Sequence, residues 1–448
     1  MTTMTEITTA RTWPSPAVVQ PICLRKPILR PLCVRALLAR RIVESVARRV
    51  PVDVLMPDGQ LLGRADTRSE GTRPDGTRPV LEVVRPVALF ERLAHHPKIG
   101  IGEAYMAGDW RAGAGTDLAQ VLLPFAERLT TAVPPSLSRL RAVVDRRIPS
   151  TQRNSLPGSR KNIEAHYDLS NDLFAAFLDD TLSYSSALFA GGSPFCEQSL
   201  ADAQLRKVSA ILDLARVGPG SRVLEIGTGW GTLAIEAARR GAHVTTLTLS
   251  AEQAALARDR VADAGLTDSV DIRLQDYREA GGSYDAIVSV EMIEAVGEEY
   301  WPTYFATLDE RLAPGGVAAI QSILMGHDRY LATRHSYGWI QKHIFPGGLI
   351  PSRRAIAETA AAHTRLHVSQ VHSFGSHYAE TLRRWREAFM TSWPQIRAHG
   401  FDESFRRKWE FYLAYCEAGF ESGYLDVAQI RLERPSPGEA PATEGVRA

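Results

Sequence analysis

The chain has 448 residues, a length that predicts two or three domains. Its hydrophobic fraction of 44% and charged fraction of 23% are those of an ordinary soluble globular protein. No apolar run approaches the ~18 residues of a membrane-spanning helix, which excludes an integral membrane protein. The net charge is only +1, yet residues 25–49 hold eight Lys or Arg and one acid, and residues 139–161 hold seven and one. Such stretches suit an anionic membrane surface, nucleic acid or a plain solvated face, and composition leaves these three open.

The four cysteines stand at positions 23, 33, 196 and 416, without the spacing of a metal site or a redox motif. A reduced, cytoplasmic setting is therefore expected, with no bound metal. Arg25, Arg30 and Arg35 interrupt each apolar run near the N-terminus, so no signal peptide is predicted. We expect a cytoplasmic protein that touches the inner face of a membrane without spanning it.

Residues 1–150 are predicted to form a small α+β domain that ends in a linker. It begins with a loose stretch (1–21) and a basic amphipathic helix (Leu32–Val50) whose apolar side consists of Leu37, Leu38, Ile42, Val46 and Val50. A hairpin (Val52–Leu55 and Gln60–Gly63) around Pro57-Asp58-Gly59 and a polar loop (Thr67–Arg78) follow. The domain continues with a strand (Val80–Val84), a helix (Pro86–Ala94) and a loop folded back on an apolar surface (100–110, GIGEAYMAGDW), and it ends in the linker Pro134–Gly158.

Residues 151–432 are predicted to form an α/β domain, and residues 433–448 a disordered tail. The predicted strands are Arg222–Ile226, His243–Thr248, Val270–Leu274, Asp285–Val290 and Val317–Ile323, and the helices are Leu200–Leu214, Thr232–Arg240, Ala251–Ala264 and Tyr300–Leu312. Strands that alternate with helices indicate a parallel sheet with ligand sites at the carboxyl ends of its strands. Beyond Met325 the alternation stops, and aromatic residues at helical spacing between Phe405 and Phe420 predict a helix that packs against a core.

The first strand of this domain runs into a glycine turn, VLEIGTGWG (223–231). Glycines let the backbone approach a ligand closely, and the following helix offers free N–H groups. A dinucleotide site would have G-x-G-x-x-G and an acid about 20 residues further on. Here the pattern is E-x-G-x-G-x-G with Glu225 inside the strand, and the second strand ends in Thr248-Leu249-Ser250 without an acid. Both details disfavour NAD and match the turn that binds S-adenosylmethionine in class I methyltransferases.

Seven motifs together resemble one family. They are GIGEAYMAGDW (100–110), AHYDLSNDLF (165–174), TLSYSSALF (181–189), VLEIGTGWG (223–231), TLTLSAEQ (246–253), SVEMIEAVG (289–297) and YGWIQKHIFPGGLIPS (337–352). The chain resembles the cyclopropane-fatty-acyl-phospholipid synthase and mycolic acid methyltransferase family over most of its length. The resemblance implies an α/β, Rossmann-like class I S-adenosylmethionine-dependent methyltransferase domain with helical lid insertions, plus a small N-terminal α+β lipid-binding domain.

The resemblance also implies a reaction, the methylation of a cis double bond in the acyl chain of a membrane phospholipid. The cation left on the acyl chain requires a site without water, and aromatic faces stabilise it. The residues that offer such faces, with ordinary core packing as the alternative for most of them, are Tyr167, Tyr184, Phe189, Tyr337, Trp339, Phe345 and Tyr378. A bound bicarbonate then removes a proton. The cofactor-binding residues that the motifs imply are Tyr167, Tyr184, Gly227, Gly229, Gly231, Thr248, Leu249, Gln253 and Asp276. Gln253 is alternatively part of a capping box with Ser250, and Asp276 is alternatively a turn residue.

The catalytic residues that the resemblance implies surround the bicarbonate. Glu294 matches the glutamate that holds this ion, and Tyr378 the tyrosine that hydrogen-bonds it. Ser186, Ala295 and Gln321 depart from the cyclopropane-forming pattern, which has Cys, His and His there. Ser186 and Gln321 still hydrogen-bond an anion, but Gln321 cannot titrate. These departures resemble a branch that makes a 10-methylene chain, which a separate flavin- and NADPH-dependent reductase saturates. A cyclopropane product stays the alternative.

The predicted partners are therefore an unsaturated phospholipid, that reductase and a second copy of the chain in a homodimer, with no nucleic acid. Two other functions stay open: methylation of another small molecule or of nucleic acid, and lipid binding without catalysis.

Overall fold

The computed structural model describes residues 34–63, 78–128, 149, 154 and 170–435. The predictions that lie outside these residues concern positions 1–21, most of the loop Thr67–Arg78, most of the linker Pro134–Gly158, Tyr167, Cys23, Cys33 and the tail beyond residue 435.

The secondary structure follows the predicted order closely. The described helices are α1 (Val34–Ala47), α2 (Pro86–His95), α3 (Pro97–Ala107), α4 (Leu118–Glu127), α5 (Asn171–Ala175), α6 (Leu200–Leu214), α7 (Thr232–Arg239), α8 (Ala251–Asp263), α9 (Trp301–Arg311), α10 (His327–Thr333), α11 (Trp339–His343), α12 (Arg353–His363), α13 (Gly375–Thr391), α14 (Trp393–Ala398) and α15 (Glu403–Glu421). The described strands are β1 (Asp53–Leu55), β2 (Leu61–Leu62), β3 (Val80–Val83), β4 (Trp110–Ala112), β5 (Arg222–Ile226), β6 (His243–Thr248), β7 (Val270–Leu274), β8 (Tyr284–Val290), β9 (Leu312–Met325), β10 (His367–Ser373) and β11 (Leu425–Glu433).

A seven-stranded sheet carries the larger part of the fold, in the order β10-β11-β9-β8-β5-β6-β7. The strands β7, β6, β5, β8 and β9 are parallel, as predicted. The central strands β5 and β8 are largely buried because helices cover both sides of the sheet; Val223 and Leu224 of β5, for example, are fully buried. The prediction of a class I methyltransferase fold is thus confirmed.

Two strands at the end of the chain are absent from the prediction. β11 pairs antiparallel with β9, and β10 pairs antiparallel with β11 at the sheet edge. β10, with the sequence HVSQVHS, shows no buried face along its length. An edge strand of this kind has no apolar alternation, which explains why the sequence pattern did not indicate it.

A second, four-stranded sheet of order β2-β1-β3-β4 lies in the N-terminal region. The predicted hairpin is confirmed, since β1 and β2 pair antiparallel. The amphipathic side assigned to α1 is partly wrong: Val46 and Val50 face the core as predicted, but Leu37, Leu38 and Ile42 are exposed. The buried positions of the helix are the alanines at 36, 39 and 47. Alanine leaves room for a close approach to the neighbouring helix α2, so Leu37, Leu38 and Ile42 face outward.

The stretch GIGEAYMAGDW is also different from the prediction, because most of it is the helix α3 rather than a loop. Its glycines allow other elements to pack closely. A Cβ atom at Gly102 would lie 2.5 Å from Trp339 Nε1 and 2.8 Å from Phe411 Cε1. The helix therefore lies directly against α11 and α15.

This contact is part of one apolar core shared by the N-terminal region and the C-terminal helices. The rings of Trp110 and Phe411 are 6.2 Å apart, and both side chains are almost fully buried. Arg386 adds an ion pair of 2.8 Å to Asp117 across the same contact. The predicted domain boundary at residue 150 lies outside the described residues and stays a prediction. No helix in the described ranges is long and apolar enough to span a bilayer.

Candidate active site

The strand order places a crevice at the carboxyl ends of β5 and β8. The chain leaves β5 toward β6 on one side and returns to β8 on the other, and open α/β sheets bind ligands where the strand order reverses in this way. A pocket opens at this point, between the turn after β5, the end of β6 and the segment after β8.

The glycine turn forms one wall of the pocket. Gly227 and Gly229 line it with φ angles of +102° and +52°, which cost an L side chain strain but not a glycine. The space above Gly229 is open, because a Cβ atom there would meet no atom within 4 Å. Gly231, with φ of +89°, precedes α7, whose first backbone N–H groups point toward the turn.

The end of β6 contributes Thr248, Leu249 and Gln253 to the pocket. The Thr248 hydroxyl donates to Gln253 Oε1 over 3.1 Å, and Ser250 accepts from the Gln253 backbone N–H to cap α8. Ser250 is therefore a helix cap, while the Gln253 side chain bonds Thr248 rather than the cap. The Gln253 side chain remains at the pocket wall, where the resemblance places it.

The remaining cofactor predictions divide into two groups. Tyr184 lines the pocket, with its hydroxyl 2.8 Å from that of Tyr412. Asp276 is not among the lining residues; its carboxylate caps a short turn and pairs with Arg278 at 2.7 Å, so the structure gives it the turn role that the sequence left open. The contact of Asp276 with the cofactor stays a prediction, as does the role of Tyr167.

Two buried ionisable residues beside the turn were not singled out from the sequence as site residues. Burial raises the pKa of Glu225 to about 8 and lowers that of Lys207 to about 8, and both line the pocket. The Lys207 ammonium donates to Ser185 Oγ over 2.7 Å. The sequence could have indicated Lys207, because this lysine and Gln204 interrupt the otherwise apolar face of α6.

A third residue, Glu291, was also missed and lies at the centre of the opposite wall. Tyr378 donates its hydroxyl to Glu291 Oε2 over 2.6 Å. The Ser186 backbone N–H and Gln321 Nε2 each donate to Glu291 Oε1 over 2.9 Å. The signal in the sequence was its position, an acid that directly follows β8 at the ligand-binding edge of the sheet.

The structure thus brings together three of the four predicted catalytic residues, but around Glu291. Gln321 is itself oriented by Gln429, which donates to Gln321 Oε1 over 3.2 Å. Glu294 lies apart: its Oε1 accepts from Ser322 Oγ at 2.9 Å and from the Ile323 N–H, and it is not among the residues that line the pocket. Burial, and then the charge of Glu291, raise the pKa of Glu294 to about 8.

These contacts decide whether a bicarbonate fits as the resemblance implies. An anion there needs hydrogen-bond donors, and the donors of Tyr378, Gln321 and Ser186 are directed at the Glu291 carboxylate. A second anion there would lie against the like charge of the Glu291 carboxylate, which already uses these donors. The arrangement does not fit a bound bicarbonate at these groups. No cluster of metal-binding side chains occurs in the described part of the chain either.

The predicted aromatic faces are mostly structural. In the shared core the ring centroids of Trp339 and Phe411 are 4.8 Å apart, and those of Phe345 and Tyr412 are 5.9 Å apart. Of the aromatic residues named from the sequence and described here, only Tyr184 is among those that line the pocket.

The fold and the pocket are those of an S-adenosylmethionine-dependent methyltransferase, since a glycine turn with open space above it ends the first strand of the parallel sheet and lines the pocket. The sequence profile described as "Mycolic acid cyclopropane synthetase" matches residues 155–430. The chain belongs to this family.

Individual relatives support this assignment over most of the length. The chain is 50% identical over 406 residues to the tuberculostearic acid methyltransferase UfaA1 of Mycobacterium tuberculosis, covering 90% of this chain and 92% of the relative. It is 33% identical to the cyclopropane-fatty-acyl-phospholipid synthase of Escherichia coli, covering 84% and 92%. The crystal structure of the mycolic acid cyclopropane synthase CmaA1 with SAH and CTAB superimposes with a TM-score of 0.55 at 31% identity, covering 61% and 97%.

Proposed function

We propose that the chain transfers a methyl group to the cis double bond of an unsaturated acyl chain in a membrane phospholipid and releases a methylene-branched product. The observation that carries this proposal is a methyl-donor pocket that shares its space with a hydrogen-bonded carboxylate, Glu291. The similarity to a tuberculostearic acid methyltransferase and to a phospholipid-acting synthase supports an acyl chain as the acceptor.

S-adenosylmethionine supplies a methyl group on a sulfonium sulfur. Gly227, Gly229, Thr248 and Gln253 would hold it, since their backbone and side-chain atoms form the wall where the turn leaves space. The acceptor alkene is a weak nucleophile, so the residues around it must exclude water from the cation that forms. Tyr184 presents an aromatic face in this pocket, which stabilises a cation.

The methylene product rests on the three departures from the cyclopropane-forming pattern. Ala295 lines the pocket without a polar side chain, and the Ser186 hydroxyl donates to the Ala187 carbonyl rather than into the cluster. The Gln321 side chain donates to Glu291 and, unlike a histidine, cannot titrate. A methylene product retains one double bond, so we further propose that a flavin- and NADPH-dependent reductase saturates it. The homodimer stays a prediction.

The exposed face of α1 supports contact with a membrane surface. Val34, Leu38 and Leu37 are 83%, 59% and 48% exposed, and Arg35 and Arg41 are exposed on the same helix. Aliphatic and basic side chains together suit the headgroup region of an anionic bilayer. We therefore propose that the protein binds the inner, anionic face of the membrane through α1.

The activity test is the transfer of labelled methyl groups from S-adenosylmethionine by the purified chain. Vesicles of monounsaturated phospholipid, vesicles of saturated phospholipid and RNA serve as acceptors. Label is expected only in the monounsaturated lipid. Label in RNA would favour the alternative acceptor, and cofactor binding without transfer to any lipid would favour a non-catalytic lipid-binding protein.

The membrane test is vesicle sedimentation at low and high salt. Arg35→Ala with Arg41→Ala is expected to weaken binding to anionic vesicles by about 2 kcal/mol, roughly thirtyfold, since each surface arginine contributes about 1 kcal/mol. Arg239→Ala with Arg273→Ala, on the sheet domain, is the matched control. If both double variants lost the same vesicle binding, or if binding did not respond to salt, electrostatic membrane binding through α1 would be contradicted.

A further inference from the structure

We propose that the Glu291 carboxylate is the proton acceptor of the reaction, built into the chain in place of the bicarbonate ion. This inference rests on the proposed function, because a proton must leave the acyl cation for a neutral product to form.

The geometry of the carboxylate is that of a held anion. Both oxygens of Glu291 accept hydrogen bonds, Oε2 from Tyr378 and Oε1 from Ser186 and Gln321, at 2.6 to 2.9 Å. The donors come from three separate parts of the chain, which fixes the carboxylate on more than one side. The residue is only partly buried and lines the pocket that also contains Gly227. The Glu291 carboxylate is thus held in place and is accessible from the side of the pocket that holds the methyl donor.

The backbone at Glu291 is strained in a way that places this side chain. Its φ angle is +50°, in the left-handed region, where a residue other than glycine costs roughly 1–2 kcal/mol. Its N–H donates to the Gln321 carbonyl at 2.7 Å, so the strained conformation is tied to the neighbouring strand β9. Strain of this kind, held by surrounding contacts, is characteristic of functional positions.

The charges around the pocket favour Glu291 over Glu294 as the ionised group. Burial raises the pKa of Glu291, and the three hydrogen bonds and the positive charge of Lys207 oppose that rise. Glu294 accepts from Ser322 and Ile323 through one oxygen, and its Oε2 has no partner within the described ranges. We assign the charge to Glu291 and the proton to Glu294.

Proton transfer to Glu291 is the last of three bond changes that lead from the alkene to the methylene product. The electron pair of the acyl double bond forms the new bond to the methyl carbon as the sulfur–carbon bond breaks, and a cation remains on the neighbouring acyl carbon. A hydride shift moves the cation to the methylated carbon. Glu291 takes a proton from the former methyl group, whose electron pair becomes the methylene double bond. The neutral Glu291 carboxyl returns the proton to solvent after product release.

The test compares the full-length wild type with Glu291→Gln and Glu291→Gly in buffer freed of carbon dioxide and in buffer with added bicarbonate. Wild-type turnover is expected to be the same in both buffers. Glu291→Gln is expected to lose turnover by roughly a hundredfold or more, the usual contribution of a positioned base, while cofactor affinity is unchanged. Glu299→Gln, an exposed glutamate shortly after it in the chain, is the control and is expected to keep full turnover.

Calorimetric titration with bicarbonate gives a readout that does not need turnover. The wild type is expected to bind no bicarbonate, and Glu291→Gly is expected to bind it, because the donors of Tyr378, Gln321 and Ser186 are then vacated. Bicarbonate binding by the wild type, or near-normal turnover of Glu291→Gln, would overturn the proposal. A wild type that methylates no lipid overturns the proposed function instead, and the titration still separates the two outcomes.

Discussion

The two walls of the pocket are built in different ways. The wall for the methyl donor is made largely of backbone and lies in one continuous stretch, from the end of β5 to the start of α8. The wall for the proton acceptor is made of side chains from four separate segments, at 186, 291, 321 and 378. The first wall depends on local conformation and the second on tertiary packing, so different substitutions should impair them separately.

The donor wall should respond most strongly to a Cβ atom in the glycine turn. Gly227→Ala places a side chain on a φ of +102° and within 3.3 Å of Met292 Cγ. We expect strain of about 1–3 kcal/mol, and a loss of S-adenosylmethionine affinity of roughly tenfold to a hundredfold in calorimetry. Gly265→Ala, at a φ of +69° with no neighbour within 4 Å, is the control and should lose stability only. If both variants lost the same affinity for S-adenosylmethionine, the loss would not be specific to the glycine turn at the pocket.

The acceptor wall should respond next through the hydroxyl of Tyr378. Because its hydrogen bond lowers the pKa of Glu291, Tyr378→Phe should raise that pKa. A hydrogen bond to a charged group contributes about 1.5–3 kcal/mol, equivalent to roughly one to two pH units. Turnover falls as a base is protonated, so the acidic limb of the pH profile should move upward by that amount while cofactor affinity stays constant.

The control for this variant is another tyrosine–glutamate pair. Tyr330 donates to Glu298 over 2.6 Å, and neither residue lines the pocket. Tyr330→Phe should leave the acidic limb in place. A limb that does not move in Tyr378→Phe, or that moves in both variants, would contradict the assignment of Glu291 as the titrating base.

The last prediction concerns the pH dependence of stability that Glu294 produces. Its pKa of about 8 in the folded chain lies above the ordinary value of 4.5, so folding retains a proton that the unfolded chain releases between these two values. Stability should therefore fall as pH rises through this window, by up to about 1.4 kcal/mol per pH unit for this group. Glu294→Gln mimics the protonated form, and its unfolding free energy should decline less steeply between pH 5 and 8 in denaturant titrations. Parallel curves for the two proteins would mean that Glu294 is ionised in the folded chain.

The donor wall was predictable because its information is local. The pattern E-x-G-x-G-x-G, the strand before it and the cap at Ser250 lie within 30 residues of sequence, and strand positions such as Arg222–Ile226 and His243–Thr248 agree with the prediction to the residue. Hydrophobic periodicity also predicted the five parallel strands. It could not give β10, whose residues at the sheet edge have no apolar pattern.

The acceptor wall was only partly predictable. The resemblance named Tyr378, Gln321 and Ser186, but it assigned their hydrogen bonds to an ion rather than to Glu291. Of two glutamates three residues apart, only Glu291 is among the residues that line the pocket, and it has a left-handed φ angle that composition or spacing does not reveal. Sequence also placed Leu37, Leu38 and Ile42 of α1 wrongly on the buried side, because burial there depends on the close approach of α2 to alanines.

The most direct test of the account is the chromatographic and mass identity of the acyl chain that the purified wild type makes from monounsaturated phospholipid in buffer freed of carbon dioxide. The account predicts a methylene-branched ester, formed at a rate that added bicarbonate does not change. A cyclopropane ester without a methylene ester, or no product until bicarbonate is added, would contradict it.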